Sequence, residues 1–196
     1  MQNHTQLPTG LSFSYETERL ILRLPSTDYL REIHDFLYRN RSCFEKYEPT
    51  APENYYTLDF QQTLARCELK LALKLSSVRF YVFLKEDPST IIGTVCLHNI
   101  IKMPYFTSEV GYKFDASYQH HGYAREALSM ALSVGFYGLG LHKIFARCMP
   151  ENTPSKNLLH ATIFFRGALT LYSPPSSRMM TSLFRQFIVS DNFIVR

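Results

Sequence analysis

The chain has 196 residues, 45% of them hydrophobic and 19% charged, with a net charge of +4. That balance excludes a disordered chain, a coiled coil and a collagen-like fibre. A domain of this size buries roughly 70% of the surface its unfolded chain exposes, so its core needs no metal or disulfide staple. The four cysteines (Cys43, Cys67, Cys96 and Cys148) have no short spacing and read as small buried hydrophobes in a reducing cytoplasm. The seven His form no metal-ligand motif. No run approaches the roughly 20 apolar residues of a membrane span. Met1–Gly10 lacks the basic and apolar regions of a secretion signal. The charge is too weak to argue a nucleic-acid partner, although it is uneven: residues 157–196 carry four Arg against the single acid Asp191.

Residues 1–15 read as a flexible tail and 16–196 as one domain. Glu18 to Leu24 alternates charged and apolar residues, the pattern of a half-buried strand, and Pro25 stops it. Ser26 or Thr27 caps a helix that carries Leu30, Ile33, Phe36 and Leu37 and runs to about Asn40. After a loop with Pro49 and Pro52, Thr57 opens a second helix with Leu64, Cys67, Leu71 and Leu75 on one face. Strands follow at 79–85, 90–100 and 106–115, with Phe80, Tyr81 and Phe83 as core and a bulge at Gly93. A helix from Gly122 to about Tyr137 shows Ala124, Ala127, Leu128, Ala131, Leu132 and Phe136 on one stripe. The strand 142–149 and a helix capped by Asn152 or Thr153 come next, then two weaker strands near 168–172 and 182–190. Antiparallel middle strands followed by a βαβ unit predict a mixed α/β sheet.

The chemistry concentrates in Ser108 to Glu126. A strand feeds the loop Gln119-His120-His121-Gly122-Tyr123-Ala124, which opens a helix. Unpaired amides at a helix start, backed by the helix dipole, suit a diphosphate. Gly122 lets the backbone approach closely, Ala124 keeps the helix on the sheet, and His121 and Arg125 add positive charge. Glu109 lies on the preceding strand, and Asn152 and Ser155 lie just past the next one. If the crossover helix makes the two strands parallel neighbours, their carboxyl ends converge on the loop. His98, His142 and His160 read as surface residues.

Gln119 to Ala124 matches the Q/R-x-x-G-x-G/A signature of the GNAT superfamily of acetyl-CoA-dependent N-acetyltransferases, which the chain resembles over about residues 16–160. The likeness is greatest to the branch that acetylates the N-terminal alanine or serine of ribosomal proteins. It is carried also by Thr17 to Arg23, Ile92-Gly93, Glu109 to Tyr112 and Pro150 to Ser155. The resemblance implies an α/β (α+β) fold. Its central sheet is mixed and mostly antiparallel, with helices on both faces and a splayed parallel strand pair holding acetyl-CoA. It implies that the pantetheine arm pairs with backbone at Tyr112, Lys113 and Phe114, and that the diphosphate sits on Gln119 to Arg125. A primary amine then attacks the thioester directly. Glu109 is either the base or a carboxylate that orients a loop or substrate. Asn152 holds the pantetheine arm or caps the helix. Relatives place a Tyr seven residues after that Asn, where this chain has Leu159, so Ser155 is the nearest substitute acid unless it serves only as a cap hydroxyl. Tyr47, Tyr55 and Tyr56 lie in the loop that walls the acceptor pocket in this family.

The resemblance frays after Leu159. Ile163 stands where a glycine is usual, the usual acid is missing, and Pro174-Pro175-Ser176-Ser177 replaces a simple hairpin turn. A diverged acceptor wall, a shifted reading frame, or strands used against a second copy in a homodimer would each account for residues 160–196. The expectation is a cytoplasmic acetyltransferase acting on a protein N-terminus or a small-molecule amine. The alternative is a catalytically silent acyl-CoA-binding module.

Overall fold

The computed structural model describes residues 6–48 and 51–162, together with the backbone of 165–172 and 182–190. Its strands are β1 (Ser14–Glu16), β2 (Leu20–Arg23), β3 (Val78–Leu84), β4 (Ile91–Ile101), β5 (Thr107–Phe114), β6 (Lys143–Cys148), β7 (Phe165–Tyr172) and β8 (Ser182–Ser190). Its helices are α1 (Leu30–Arg39), the single turn α2 (Arg41–Phe44), α3 (Leu58–Leu73), α4 (Tyr123–Ser133) and α5 (Thr153–Ala161). The strands form one sheet in the order β1-β2-β3-β4-β5-β6-β8-β7. Neighbours are antiparallel except β5 and β6, which are parallel because α4 carries the chain back across the sheet between them.

Alternation along β3 places helices on both faces. Phe80 and Val82 join Leu22, Val95, Leu97 and Val110 in a core closed by Leu128, Ala131 and Leu132 of α4. Tyr81 and Phe83 point the other way, into a core with Ile33 and Phe36 of α1, Phe44, and Ala65 of α3. The α4 stripe therefore buries as its spacing predicts. The helix then widens into a π-helical turn, Val134–Gly138.

Three expectations need correction. The α3 stripe is Gln61, Ala65 and Ala72, whereas Leu71 is exposed and Leu64 and Leu75 are only half-buried. Small side chains let the helix lie close to the sheet, and the space beneath is filled by Glu68, whose Oε1 accepts from Arg79 Nε at 2.5 Å. Cys67 is exposed for the same reason, while Cys96 and Cys148 are buried as expected. The stretch read as tail is packed where it is described. Leu11 is buried, β1 pairs with β2, and Gly10 crosses α4's end so closely that a Cβ would stand 1.9 Å from the Gly138 carbonyl oxygen. The two strands expected near 168–172 and 182–190 do join the sheet, as 165–172 and 182–190, with Arg185–Ser190 of β8 paired to all of β6. The Pro174–Ser177 turn lies outside the described residues.

The bulge expected at Gly93 falls at Ile92–Gly93, where Val82 opposes Gly93 but Phe83 opposes Ile91. A Cβ on Gly93 would come within 2.3 Å of the Phe114 ring, at the end of the strand that leads into the anion loop. Gly93→Val is therefore expected to cost about 1–3 kcal/mol of stability in chemical denaturation, as overpacking of a tight core does. An unchanged unfolding midpoint would refute the tight fit.

Candidate active site

The loop after β5 is fastened at both ends by carboxylates that lie outside it. At its entry, buried Asp115 caps the short turn Ala116–Tyr118, its Oδ1 accepting from the Ser117 amide at 2.9 Å. Its Oδ2 accepts from Arg39 Nε at 2.6 Å and Asn40 Nδ2 at 3.0 Å, both at the end of α1. Burial pushes the Asp115 carboxyl up, but the bonds from Asn40, Arg39 and the Ser117 amide outweigh it and hold the group below the ordinary carboxylate value.

At its exit, Glu126 in the first turn of α4 reaches the start of β2. It accepts from Thr17 Oγ1 at 2.5 Å, the Arg19 amide at 2.8 Å and Arg19 Nε at 2.8 Å. Arg19 also donates to the His121 carbonyl at 2.9 Å and lies 4.7 Å from the centre of the Tyr123 ring, on which His121 stacks. Burial raises the Glu126 carboxyl, and the Thr17 and Arg19 bonds reverse this and hold it low.

Between these anchors, Gln119, His120, His121, Gly122 and Arg125 are exposed, with Tyr123 and Ala124 half-buried. His120 and Gly122 both take positive φ, +66° and +81°. Gly122 is the N-cap of α4 and has no side chain to cap it. The amides of Tyr123, Ala124 and Arg125 are thus presented ahead of the helix, with its dipole behind them. Successive amides beside left-handed residues form an anion-binding concavity. A Cβ on Gly122 would stand in ordinary contact, 3.4 Å from the Arg19 guanidinium, so it is the φ of +81° rather than lack of space that favours glycine there.

β5 and β6 pair only from Thr107–Lys143 to Val110–Ala146, although β5 runs on to Phe114 and β6 to Cys148. The strands part there, leaving the β6-facing edge of Gly111 to Phe114 as open backbone. Asn152 caps α5 by accepting from the Ser155 amide at 3.1 Å. Ser155 Oγ lies 2.8 Å from the Tyr112 hydroxyl, which joins β5 to α5 at the splay. The structure thus brings Tyr112, Asn152 and Ser155 together at the parting of the strands. Lys113 projects to the opposite face, where its ammonium bonds Glu48 at 2.9 Å and lies 4.9 Å from the Phe44 ring. Burial lowers the Lys113 pKa against the pull of Glu48.

Glu109, half-buried, is on the Lys113 face just before the strands part. Its Oε1 accepts from Arg147 Nη2 at 2.6 Å and Asn99 Nδ2 at 3.3 Å. Oε2 takes no bond among the described residues. His98 sits directly across on β4, half-buried rather than on the surface as expected. Burial lowers its pKa while Glu109 opposes the shift, so the imidazole is neutral at neutral pH.

The profile of the acetyltransferase (GNAT) domain family matches residues 19–162. The chain belongs to the GNAT acetyltransferase family. It is 30% identical over 130 residues to the probable N-acetyltransferase YjcK of Bacillus subtilis, an alignment covering 66% of this chain and 71% of that protein. The structure of the ribosomal-protein-S5-alanine acetyltransferase from Vibrio fischeri superposes with a TM-score of 0.84 at 24% identity, covering 93% of this chain and 99% of that one. RimJ of Mycobacterium smegmatis, solved in complex with CoA-disulfide, gives 0.82 at 19% identity, covering 90% and 84%. The chemistry of the GNAT chain is acetyl-CoA-dependent N-acetyl transfer, and no relative supports the silent-module alternative. No helix among the described residues is long and apolar enough to cross a membrane.

In this GNAT domain the three aromatic residues of the helix-connecting loop behave differently. Tyr47 is exposed. Tyr55 and Tyr56 pack against the second core, and burial pushes the Tyr55 phenol up to about 12. Glu48 makes that loop's bond to β5. Sequence reasoning missed Asp115, Glu126, Arg39 and Asn40 as the loop's anchors. The one local signal was the Asp115-x-Ser117 spacing of a side-chain cap.

Because Asp115 and Glu126 are held low, their contribution to stability is complete above the unfolded carboxylate range near about 4 and is lost as pH falls through their folded values. Urea unfolding should therefore show stability dropping between pH 5 and pH 3, as order-of-magnitude bounds set by about 4 for a free carboxylate. Glu126→Gln should be less stable than wild type at pH 7 and lose less on acidification. Equal acid losses in the two proteins would contradict this role for Glu126.

Proposed function

We propose that the protein acetylates a primary amine, with a protein N-terminus as the preferred acceptor class, in a reducing cytoplasm where its cysteines stay free. The observation that carries this reading is the parting of β5 and β6 after Val110 and Ala146, with the amide cradle at one end and Glu109 beside its start. In this reading the open backbone of Tyr112 to Phe114 pairs with the pantetheine arm as an added strand would. The His120–Arg125 amides hold the diphosphate, the Gln119 amide being taken by the Ala116 carbonyl at 3.3 Å, and Asn152 fixes α5 beside the thioester.

Glu109 takes the proton of the attacking ammonium, directly or through one water. Arg147 and Asn99 anchor Oε1, which leaves Oε2 for that proton. An N-terminal amine, with a pKa of about 7.7–8.0, needs less help than lysine at about 10.4. Loss of such a base costs roughly 10²–10⁴ in rate. Ser155 donates to the departing sulfur. Tyr47, Tyr55 and Tyr56 belong to the acceptor wall. β7, last in the sheet order, offers an open edge to a second copy of the chain.

The test is thiol release from acetyl-CoA with a panel of peptides beginning in alanine or serine, polyamines and other small amines. Turnover on the N-terminal peptides supports the reading. Tight acetyl-CoA binding with no turnover on any acceptor overturns it.

Two variants separate the roles. Gly122→Glu fills the cradle with bulk and negative charge and should abolish acetyl-CoA binding in calorimetry while the protein stays folded; retained affinity would refute the cradle. Glu109→Gln should lower kcat by roughly 10²–10⁴ with acetyl-CoA affinity intact. A wild-type kcat would remove Glu109 from the mechanism.

A further inference from the structure

The proposed mechanism leaves Tyr112 only its backbone, yet its side chain makes the most direct polar contact with Ser155. Its hydroxyl stands 2.8 Å from Ser155 Oγ and 3.3 Å from the Ser155 carbonyl oxygen. Both contacts bear on where the protons lie. A carbonyl oxygen only accepts, so the longer contact requires the phenol as donor. In the shorter one, the phenol is the stronger donor and the weaker acceptor of the two hydroxyls, since its lone pair is shared with the ring. The phenol has one proton, and the nearer acceptor for it is Ser155 Oγ at 2.8 Å, with the carbonyl oxygen at 3.3 Å secondary.

We propose that Tyr112 is a positioning residue that occupies the acceptor side of Ser155 Oγ and thereby aims the serine's own proton at the sulfur of the departing thiolate. The inference rests on the acetyl-transfer reading above and assigns the proton-donating geometry at that site. A serine hydroxyl has one proton and rotates freely about its Cβ–Oγ bond. On an isolated helix cap it would be spread over several directions. The Asn152 cap fixes the Ser155 backbone, and the Tyr112 bond fixes the rotor.

The chemistry balances without Tyr112 losing its proton. The amine nitrogen forms a bond to the acetyl carbon, the C–S bond breaks, and its electron pair goes to sulfur. Glu109 takes the ammonium's proton before attack and passes it to solvent, then takes the second proton, which the nitrogen sheds as the amide forms. Ser155 lends a hydrogen bond to the thiolate, whose conjugate thiol has a pKa of about 8.5 and so needs no full proton transfer near neutral pH. Burial raises the Tyr112 phenol, although the Ser155 bond opposes it, which keeps it a neutral donor throughout. The arrangement also accounts for activity in a chain with Leu159 where relatives carry a tyrosine: the phenol comes from β5 rather than from α5 and acts through Ser155.

The test is a double-mutant cycle on an acceptor that the wild type turns over. Tyr112→Phe removes one oxygen, and should lower kcat about tenfold, the worth of one oriented hydrogen bond. The KM and Kd for acetyl-CoA should stay unchanged. In a Ser155→Ala background the same change should have no further effect. A merely structural tyrosine would weaken acetyl-CoA binding or slow both backgrounds equally, and either result overturns the inference. So does an unchanged kcat in Tyr112→Phe. A measurement free of folding effects is neutron diffraction on the wild type: a Tyr112 deuteron directed at Ser155 supports the inference, and a Ser155 deuteron directed at Tyr112 overturns it. A wild type that turns over no amine sinks the acetyl-transfer reading itself, which the cycle keeps distinct from failure of the tyrosine's role.

Discussion

The geometry of the loop from 116 to 125 depends on two carboxylates that lie outside it. Asp115 ties its entry to the end of α1, and Glu126 ties its exit to the start of β2. A loop that must show its amides to an anion cannot use those amides to hold itself in place. Its order has to come from its neighbours. Here it comes from charge-assisted bonds between partners far apart in sequence, the strongest kind of hydrogen bond the chain can make. The positive φ values of His120 and Gly122 persist because both ends are fixed. The Arg19 bond to the His121 carbonyl stabilises the turn and uses none of the amides from His120 to Arg125, which donate to nothing among the described residues.

The sheet supplies the second half of the site. A parallel pair whose hydrogen bonds stop midway leaves a wedge at its carboxyl end, where ligands bind in such sheets. The α4 crossover that makes β5 and β6 parallel also carries the cradle, so wedge and cradle arise from one βαβ unit. Glu109 and Tyr112 leave opposite faces of β5, since they stand three positions apart and side chains alternate along a strand. One strand thus sends a carboxylate towards the α1–α3 side and a phenol towards α5.

Much of this was legible in the sequence. The α4 stripe, the Gly122 turn, a cap at Asn152 or its neighbour and the succession of strands from β2 to β6 along the chain follow from local period and local chemistry. What escaped has a physical cause in each case. The α3 face was misassigned because large apolar residues were expected inward, whereas close packing on the sheet selected Ala65 and Ala72 and left room for the Glu68–Arg79 pair. β1 is three residues long, and the crossing of Gly10 over Gly138 is a tertiary contact with no period to reveal it. Arg19 stood inside a recognised motif, but its partner Glu126 lies 107 residues away. The Tyr112–Ser155 bond spans 43 residues and two elements. Neither pairing can be read from spacing along the chain.

A structure of the complex with acetyl-CoA decides whether the amide cradle holds the cofactor. The diphosphate oxygens should lie within hydrogen-bond distance of backbone nitrogens between His120 and Arg125, with the Arg19–Glu126 ion pair still formed beneath them. A diphosphate held by side chains elsewhere, or a cradle that must break that ion pair to receive it, would show that it does not.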